Sequence, residues 1–158
     1  MTREIPLTQG KFALVDDDVY EWASKYKWYA LRRKGTFYAR RNAWIWPIQK
    51  GVLLHREIMQ PPHGVMIDHI DGNGLDCRRA NMRLASKAEN QRNSRRPSNN
   101  TSGYKGVCWY KPLRKWRASI KYDSKKMHIG YFDDLEAAAH AYDDAARKYH
   151  GEFARTNF

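Results

Sequence analysis

The stretch Val65–Asn93 constrains the fold most, because short apolar runs, turn signals and polar side chains follow one another in a fixed order. Val65–Ile67 is apolar with β-branched residues, which predicts a strand ending at Asp68-His69. Asp71-Gly72-Asn73-Gly74 predicts a turn. Met82–Ala85 alternates between apolar and other side chains and predicts a short return strand.

A helix is predicted to follow the return strand. Ser86 and Glu89 have the spacing of a capping box, in which each side chain bonds the backbone of the other residue. A helix that begins there carries Asn90 about one turn in. The Asn90 side chain can then point back towards the strand end that holds Asp68.

This arrangement suits metal-assisted hydrolysis of a phosphodiester. The oxygens of Asp68 and Asn90 are ligands that magnesium or manganese prefers. His69 can take a proton from the attacking water, since an ordinary pKa of about 6.5 suits a general base near neutrality. Asn81, 12 residues after His69, can hold the loop and the imidazole in register. An isolated Asp-His pair would indicate only a polar turn, but the ordered set favours a site.

The segments IDHIDGN, NMRL and AEN, in this order and spacing, resemble the HNH nucleases. The resemblance is to phage and intron-borne homing endonucleases that have Asn at the last motif position, and it covers roughly residues 55–93. It implies a ββα-metal fold in which Asp68 and Asn90 are the metal ligands. From the oxygen ligands we expect one divalent metal ion, magnesium before manganese. The resemblance also implies that His69 is the general base and Asn81 the structural Asn of the catalytic motif. His55 lies in an LHR segment, which implies a structural or phosphate-contacting role.

A small sheet with one helix is predicted ahead of this motif. Val19, Trp22, Ala23 and Tyr26 have helical spacing and are expected to face the core. The predicted elements are two strands within residues 5–15, a helix Asp16–Tyr26, a hairpin of Trp28–Leu31 with Phe37–Arg40, and a helix Val52–Met59.

Charge indicates an anionic partner. The net charge is +12, and Asn90–Tyr122 holds nine basic residues and no acidic one, which favours a polyanion over a solvated face. No apolar run approaches a membrane span and the N-terminus has no apolar signal core, so we expect a cytoplasmic protein that is not secreted. Cys77 and Cys108 form no Cys-x-x-Cys pair, which excludes a structural zinc site and predicts free thiols. Nothing indicates a small-molecule cofactor.

A second unit is predicted after an exposed basic linker, residues 94–101, whose Arg95 and Arg96 can track a DNA groove. Tyr104–Tyr110, Trp116–Tyr122 and Lys126–Phe132 predict three strands, and Leu135–Tyr149 predicts a helix with an alanine-rich stripe. Alternation gives the sheet a basic face and an apolar face. In the third strand, alternation assigns Lys126, His128 and Gly130 to the basic face. It assigns Met127, Ile129 and Tyr131 to the apolar face.

The segments SGYKGVCWY, KWRASI, KMHIGYFDDLEAAAHAYDDAA and GEFARTNF resemble the ethylene-response-factor (APETALA-type) DNA-binding domain across Ser102–Phe158. The resemblance implies a three-stranded sheet packed on one helix, with the exposed sheet face in the major groove. By position it assigns to that face Lys105, Cys108, Tyr110, Arg117, Ser119, Lys121, Lys126 and His128.

Together these patterns predict an α+β chain with a nuclease domain at residues 1–93, the linker, and a DNA-binding domain at 102–158. We expect a metal-dependent endonuclease acting on double-stranded DNA, inside the host cell if a phage encodes it. Arg83 and Arg92 are near the motif and are candidate phosphate contacts, although Arg83 can equally be a solvent-facing strand residue. Nicking by a monomer and double-strand cleavage by a dimer both remain open.

Two other classes of function compete with the endonuclease. A catalytically inactive, sequence-specific DNA-binding regulator would not need to keep Asp68, His69 and Asn90 together. A membrane-surface or RNA-binding protein is less favoured, because the chain lacks a long basic amphipathic helix: the C-terminal helix carries acids at Glu136, Asp143 and Asp144. RNA stays open as a partner, but the sheet resembles a reader of duplex DNA.

Overall fold

The computed structural model describes residues 1–33 and 35–158. The chain divides into two compact units, Met1–Asn90 and Gln91–Phe158. Each unit combines helices with antiparallel strands, so the predicted α+β class is confirmed. No helix in the described ranges has the length and apolar character needed to cross a membrane.

The described residues of the N-terminal unit form three small antiparallel sheets, β1-β2, β3-β4-β5 and β6-β7. In chain order its elements are β1 (Thr2–Pro6), β2 (Phe12–Asp16), α1 (Asp17–Ala23), β3 (Tyr29–Arg33), β4 (Thr36–Ile45), β5 (Ile48–Leu53), α2 (Leu54–Met59), β6 (Met66–His69), β7 (Met82–Ala85) and α3 (Lys87–Arg92), which ends just past the unit boundary.

One apolar core holds these elements together. Val15 of β2, Val19 of α1 and Leu54 of α2 are completely buried, and Ile67 of β6 packs with them. Ile67 is the last apolar residue of the run that predicts β6. Its burial anchors the strand that ends at His69.

Helix α1 is shorter than the predicted Asp16–Tyr26. It stops at Ala23, whose carbonyl accepts a hydrogen bond of 2.9 Å from the indole nitrogen of Trp28. The prediction that Tyr26 faces the core is wrong. Its side chain is 47% exposed, and the Arg41 guanidinium lies 4.2 Å from the centre of its ring.

The predicted hairpin has a third strand. β4 continues to Ile45 and pairs with β5, so Val52 and Leu53 belong to a strand rather than to the predicted helix. The helix begins only at Leu54. Pairing with β4 satisfies the backbone of these residues, and this long-range effect overrides the local apolar pattern.

The C-terminal unit is a three-stranded antiparallel sheet packed on one helix. Alanines on the helix allow close approach to the sheet, since Ala138, Ala139 and Ala146 are completely buried. The elements are β8 (Val107–Tyr110), β9 (Lys115–Tyr122), β10 (Lys125–Phe132) and α4 (Leu135–His150), with sheet order β10-β9-β8.

A register shift in β10 changes the faces predicted for two residues. His128 lies opposite Ser119 but Gly130 lies opposite Ala118, so Ile129 is an extra residue in the strand. Gly130 is therefore on the apolar face and Tyr131 on the basic face, the reverse of the prediction. Tyr131 is 37% exposed, and its ring centroid lies 4.4 Å from that of His128.

One of the acids of α4 is buried. Asp143 is 0% exposed, and its carboxylate accepts hydrogen bonds from the backbone N–H groups of Asn157 and Phe158. It is therefore not part of a solvated helix face. It fastens the end of the chain to α4.

Candidate active site

Asp68 and His69 occupy the end of β6, opposite Arg83 and Met82 of β7. Asp68 is buried, and its Oδ2 accepts hydrogen bonds from Nε of Arg83 at 2.9 Å and from a terminal guanidinium nitrogen at 2.8 Å. The solvent-facing alternative for Arg83 is wrong, because the side chain is mostly buried against this carboxylate. The ion pair fixes the orientation of Asp68.

His69 lies in an aromatic cluster with His55 and Tyr38. The His55 and His69 rings meet edge to face with centroids 5.2 Å apart. The Tyr38 ring centroid is 5.3 Å from that of His55 and 5.9 Å from that of His69. β4 supplies Tyr38, α2 supplies His55 and β6 supplies His69, so three separate elements position the imidazole.

Burial governs the electrostatics of this cluster. It lowers the pKa of His55 to about 3, with His69 and Arg56 acting in the same direction. Burial also lowers the pKa of His69, although the carboxylates of Asp71, Asp68 and Asp76 oppose this shift. Both rings are therefore held in the neutral form near neutral pH.

The structure brings to the site two residues that the sequence did not assign to catalysis. The sequence indicates only a structural or phosphate-contacting role for His55, whose Nδ1 has no hydrogen-bond partner among residues 1–33 and 35–158. It indicates no role for Tyr38. Its place depends on the packing of β4 against α2, and no local pattern signals it.

Asn81 ties together the loop that follows β6. Its Nδ2 donates to Asp71 Oδ1 at 2.9 Å and to the Asp76 carbonyl at 3.0 Å, and its Oδ1 accepts from the Asp71 N–H at 3.2 Å. Its carbonyl accepts from the N–H of Ile70, the residue after His69, at 2.9 Å. These bonds give Asn81 the geometry of a loop-positioning residue.

Helix α3 carries Asn90 over β6. The capping box is present, with Ser86 N–H donating to Glu89 Oε2 at 2.8 Å and Glu89 N–H donating to Ser86 Oγ at 3.2 Å. Asn90 Nδ2 contacts Sδ of Met66 at 3.8 Å. Met66 is two residues before Asp68, so the Asn90 amide lies over the strand face that presents Asp68.

The candidate ligands of a divalent metal ion are side-chain oxygens. The described residues contain no group of three or more His, Cys, Asp or Glu side chains arranged to hold a metal. Asp68 and Asn90 are two oxygen donors on adjoining elements. This fits magnesium, which commonly takes one or two protein oxygens and completes its shell with water and substrate phosphate.

The C-terminal unit presents aromatic and cationic side chains on the outer face of its sheet. The Arg117 guanidinium lies 5.3 Å from the Tyr110 ring centre and 3.4 Å from Sγ of Cys108. The Tyr110 and Tyr131 centroids are 5.1 Å apart. Tyr131 was missed because only the extra residue in β10 brings it to this face. The other residues predicted for this face are placed unequally: Lys121, Lys126 and His128 are exposed, whereas Ser119 is largely buried.

Lys105, which is predicted to lie on the sheet face, is directed instead towards the backbone at Arg92. Lys105 Nζ donates to the Arg92 carbonyl at 2.5 Å, and burial lowers the pKa of Lys105 to about 8, with Arg155 acting in the same direction. Arg95 and Arg96 are exposed and line a cleft of about 510 Å³ together with Lys105 and Arg155. Predicted contacts of these side chains with DNA therefore concern a surface beside the sheet.

We expect acid to destabilise the fold through His55. The unfolded chain binds a proton on this side chain near pH 6.5, whereas the folded protein resists it down to about pH 3. The contribution of His55 to the free energy of unfolding is thus fully present above pH 6.5, and it is lost by about 1.4 kcal/mol per pH unit between there and about pH 3. Urea unfolding at pH 7, 6 and 5 should give a steeper loss for the wild type than for His55→Phe. Parallel losses in the two proteins would contradict the assignment.

Comparison with known proteins gives two sets of relatives. Residues 60–92 match the family model described as HNH endonuclease. Protein 3.8 of Escherichia phage T7 is 38% identical over 116 residues, which cover 73% of this chain and 88% of the relative. A protein of Acanthamoeba polyphaga mimivirus named as an uncharacterized HNH endonuclease is 31% identical, with 94% of this chain and 76% of the relative covered.

Plant proteins form the second set. An AP2-like ethylene-responsive transcription factor of Arabidopsis thaliana is 38% identical over 68 residues. The match covers 43% of this chain but only 14% of the plant protein. The likeness to this relative is therefore confined to one part of each chain.

Proposed function

Because the chain belongs to the HNH endonuclease family, we propose that it is a metal-dependent endonuclease that hydrolyses phosphodiester bonds in double-stranded DNA. The observation that carries the proposal is the placement of Asp68 and His69 at the end of β6 with Asn90 lying over the same strand. Hard oxygen donors beside an imidazole are the groups that such a reaction needs.

Each residue has a distinct role in the proposed reaction. His69 accepts the proton of the water that attacks phosphorus. The rings of His55 and Tyr38 hold the His69 imidazole in place. Asp68 and Asn90 would hold one divalent cation, with magnesium favoured over manganese. The cation supplies charge stabilisation at the phosphate. Arg83 keeps the Asp68 carboxylate oriented, and Asn81 holds the loop beside His69.

The C-terminal unit is proposed to hold the target DNA. Support comes from the cationic and aromatic sheet face, the net charge of +12 and the partial likeness to plant transcription factors. On this face Tyr110, Arg117 and His128 are the central candidates for base or phosphate contact. Such binding should weaken steeply with salt, because each neutralised phosphate releases counterions.

The experiment that tests the function is incubation of the purified protein with supercoiled plasmid in magnesium or in a chelator. Nicking or linearisation in magnesium alone is the expected result, and its product distinguishes single-strand from double-strand cleavage. Binding of duplex DNA without cleavage, on plasmids and on DNA from the source genome, would favour the inactive regulator instead.

Replacement of Asn90 by alanine should weaken the response to magnesium. Loss of one of two protein oxygens should raise the magnesium concentration for half-maximal cleavage at least about tenfold. Gln91→Ala is the matched control, since Gln91 is exposed on the same helix. A magnesium dependence identical in Asn90→Ala and Gln91→Ala would refute the ligand assignment.

A further inference from the structure

The tip of the β4-β5 hairpin exposes a cluster of large apolar side chains. Trp44, Trp46 and Ile48 are 68%, 83% and 61% exposed, the highest values among the described large apolar residues after Met1. The two indole centroids are 6.5 Å apart and the rings are tilted by 56°, so neither ring covers the face of the other. An exposed apolar cluster of this kind marks an interaction surface.

This tip is connected to the candidate active site by a single strand. β4 is continuous from Thr36 to Ile45, and Trp44 is six residues after Tyr38, so both are on the same face of the strand. Six residues of extended strand span about 20 Å. That is the length of about six base-pair steps at 3.4 Å each. A duplex whose scissile phosphate lies at the site can therefore reach the tip.

The charge of the hairpin decides which partner fits. Residues 36–53 contain Arg40, Arg41 and Lys50 and no acidic residue. Arg41 is paired with Glu57, but Arg40 lies across β5 where Gly51 has no side chain, on the face that leads from Tyr38 to Trp44. A second copy of this chain would carry the same positive charge and be repelled. Double-stranded DNA combines phosphates for the cations with flat apolar base pairs for the indoles.

We propose that Trp44, Trp46 and Ile48 wedge against base pairs of the bound duplex, about six steps from the scissile phosphate. The proposal rests on the endonuclease function above and adds a second contact to it. Aromatic side chains stack on bases, and apolar wedges partly open base steps. The hairpin thereby fixes the distance between the point of insertion and the point of cleavage.

The test compares the Trp44→Ala/Trp46→Ala variant with Gln49→Ala, which changes an exposed residue opposite Trp44. Binding to a cleavable duplex is measured in calcium at several salt concentrations. We expect the tryptophan variant to bind about 10- to 100-fold more weakly. The slope of log binding constant against log salt concentration should equal that of the wild type, since no phosphate contact is lost. Lys50→Ala should reduce this slope by about one.

A second readout locates the insertion. With 2-aminopurine placed four to eight base pairs from the cleavage position, wild-type binding should raise its emission at one step, and the tryptophan variant should not. Unchanged affinity and emission in that variant, while the wild type still cuts, would overturn the wedge and leave the endonuclease standing. A wild type that neither binds nor cuts would overturn both. If the wild type is a dimer, and the tryptophan variant is a monomer that binds DNA with unchanged affinity, the tip contacts a second copy of the chain instead.

Discussion

Replacement of His69 by alanine should abolish DNA cleavage and leave duplex binding nearly intact. The imidazole is the proposed proton acceptor, and removal of a general base typically costs about 10²- to 10⁴-fold in rate. Binding should persist, since the cationic face of the C-terminal unit does not involve His69. Plasmid cleavage in magnesium and gel shift of the same DNA measure the two properties separately.

The His69 result needs two comparisons. His63→Ala removes an exposed histidine from the loop before β6 and should cut like the wild type. Thermal unfolding reports whether the buried site of His69 still folds after truncation. Loss of cleavage and binding together would make His69 a structural residue, and full activity would remove it from the mechanism.

Local signals predicted the strand–turn–strand–helix of the candidate site well. The turn forms because Asp71 and Asn73 side chains accept hydrogen bonds from backbone N–H groups two residues ahead, at 2.7 and 3.1 Å. The helix starts where Ser86 and Glu89 form their reciprocal bonds. Each of these interactions spans two or three residues, so its signal lies within a few letters of the sequence.

Long-range packing accounts for what the sequence did not predict. Tyr38, His55 and His69 meet although 14 residues separate the histidines and 17 separate Tyr38 from His55. The extra residue at Ile129 leaves the apolar alternation of β10 unchanged in the sequence, yet it moves Tyr131 to the other face. Such features depend on strand pairing and helix packing, for which one sequence carries no separate signal.

The second large effect concerns stability rather than chemistry. Asp143→Ala should destabilise the C-terminal unit by about 3 kcal/mol, since it removes several hydrogen bonds to a buried carboxylate and a hydrogen bond to a charged group contributes about 1.5–3 kcal/mol. The carboxylate accepts three donors of the chain end: Asn157 N–H, Asn157 Nδ2 and Phe158 N–H, at 2.9–3.0 Å. Asn157 in turn accepts the Lys105 N–H at 2.7 Å, which links the chain end to the residues before β8.

Asp144→Asn is the control for Asp143→Ala. Asp144 is the next residue on α4, but its side chain is 79% exposed and pairs with Arg147 at the surface, so its loss should change stability by less than about 0.5 kcal/mol. Urea unfolding gives the free energies, and hydrogen exchange of β9 and β10 assigns the change to the C-terminal unit. DNA binding should fall with unfolding of this unit, while the backbone of β6 and β7 should keep its exchange protection. Equal stabilities of the two variants would show that Asp143 does not hold the chain end, and the burial of this carboxylate would then need another cause.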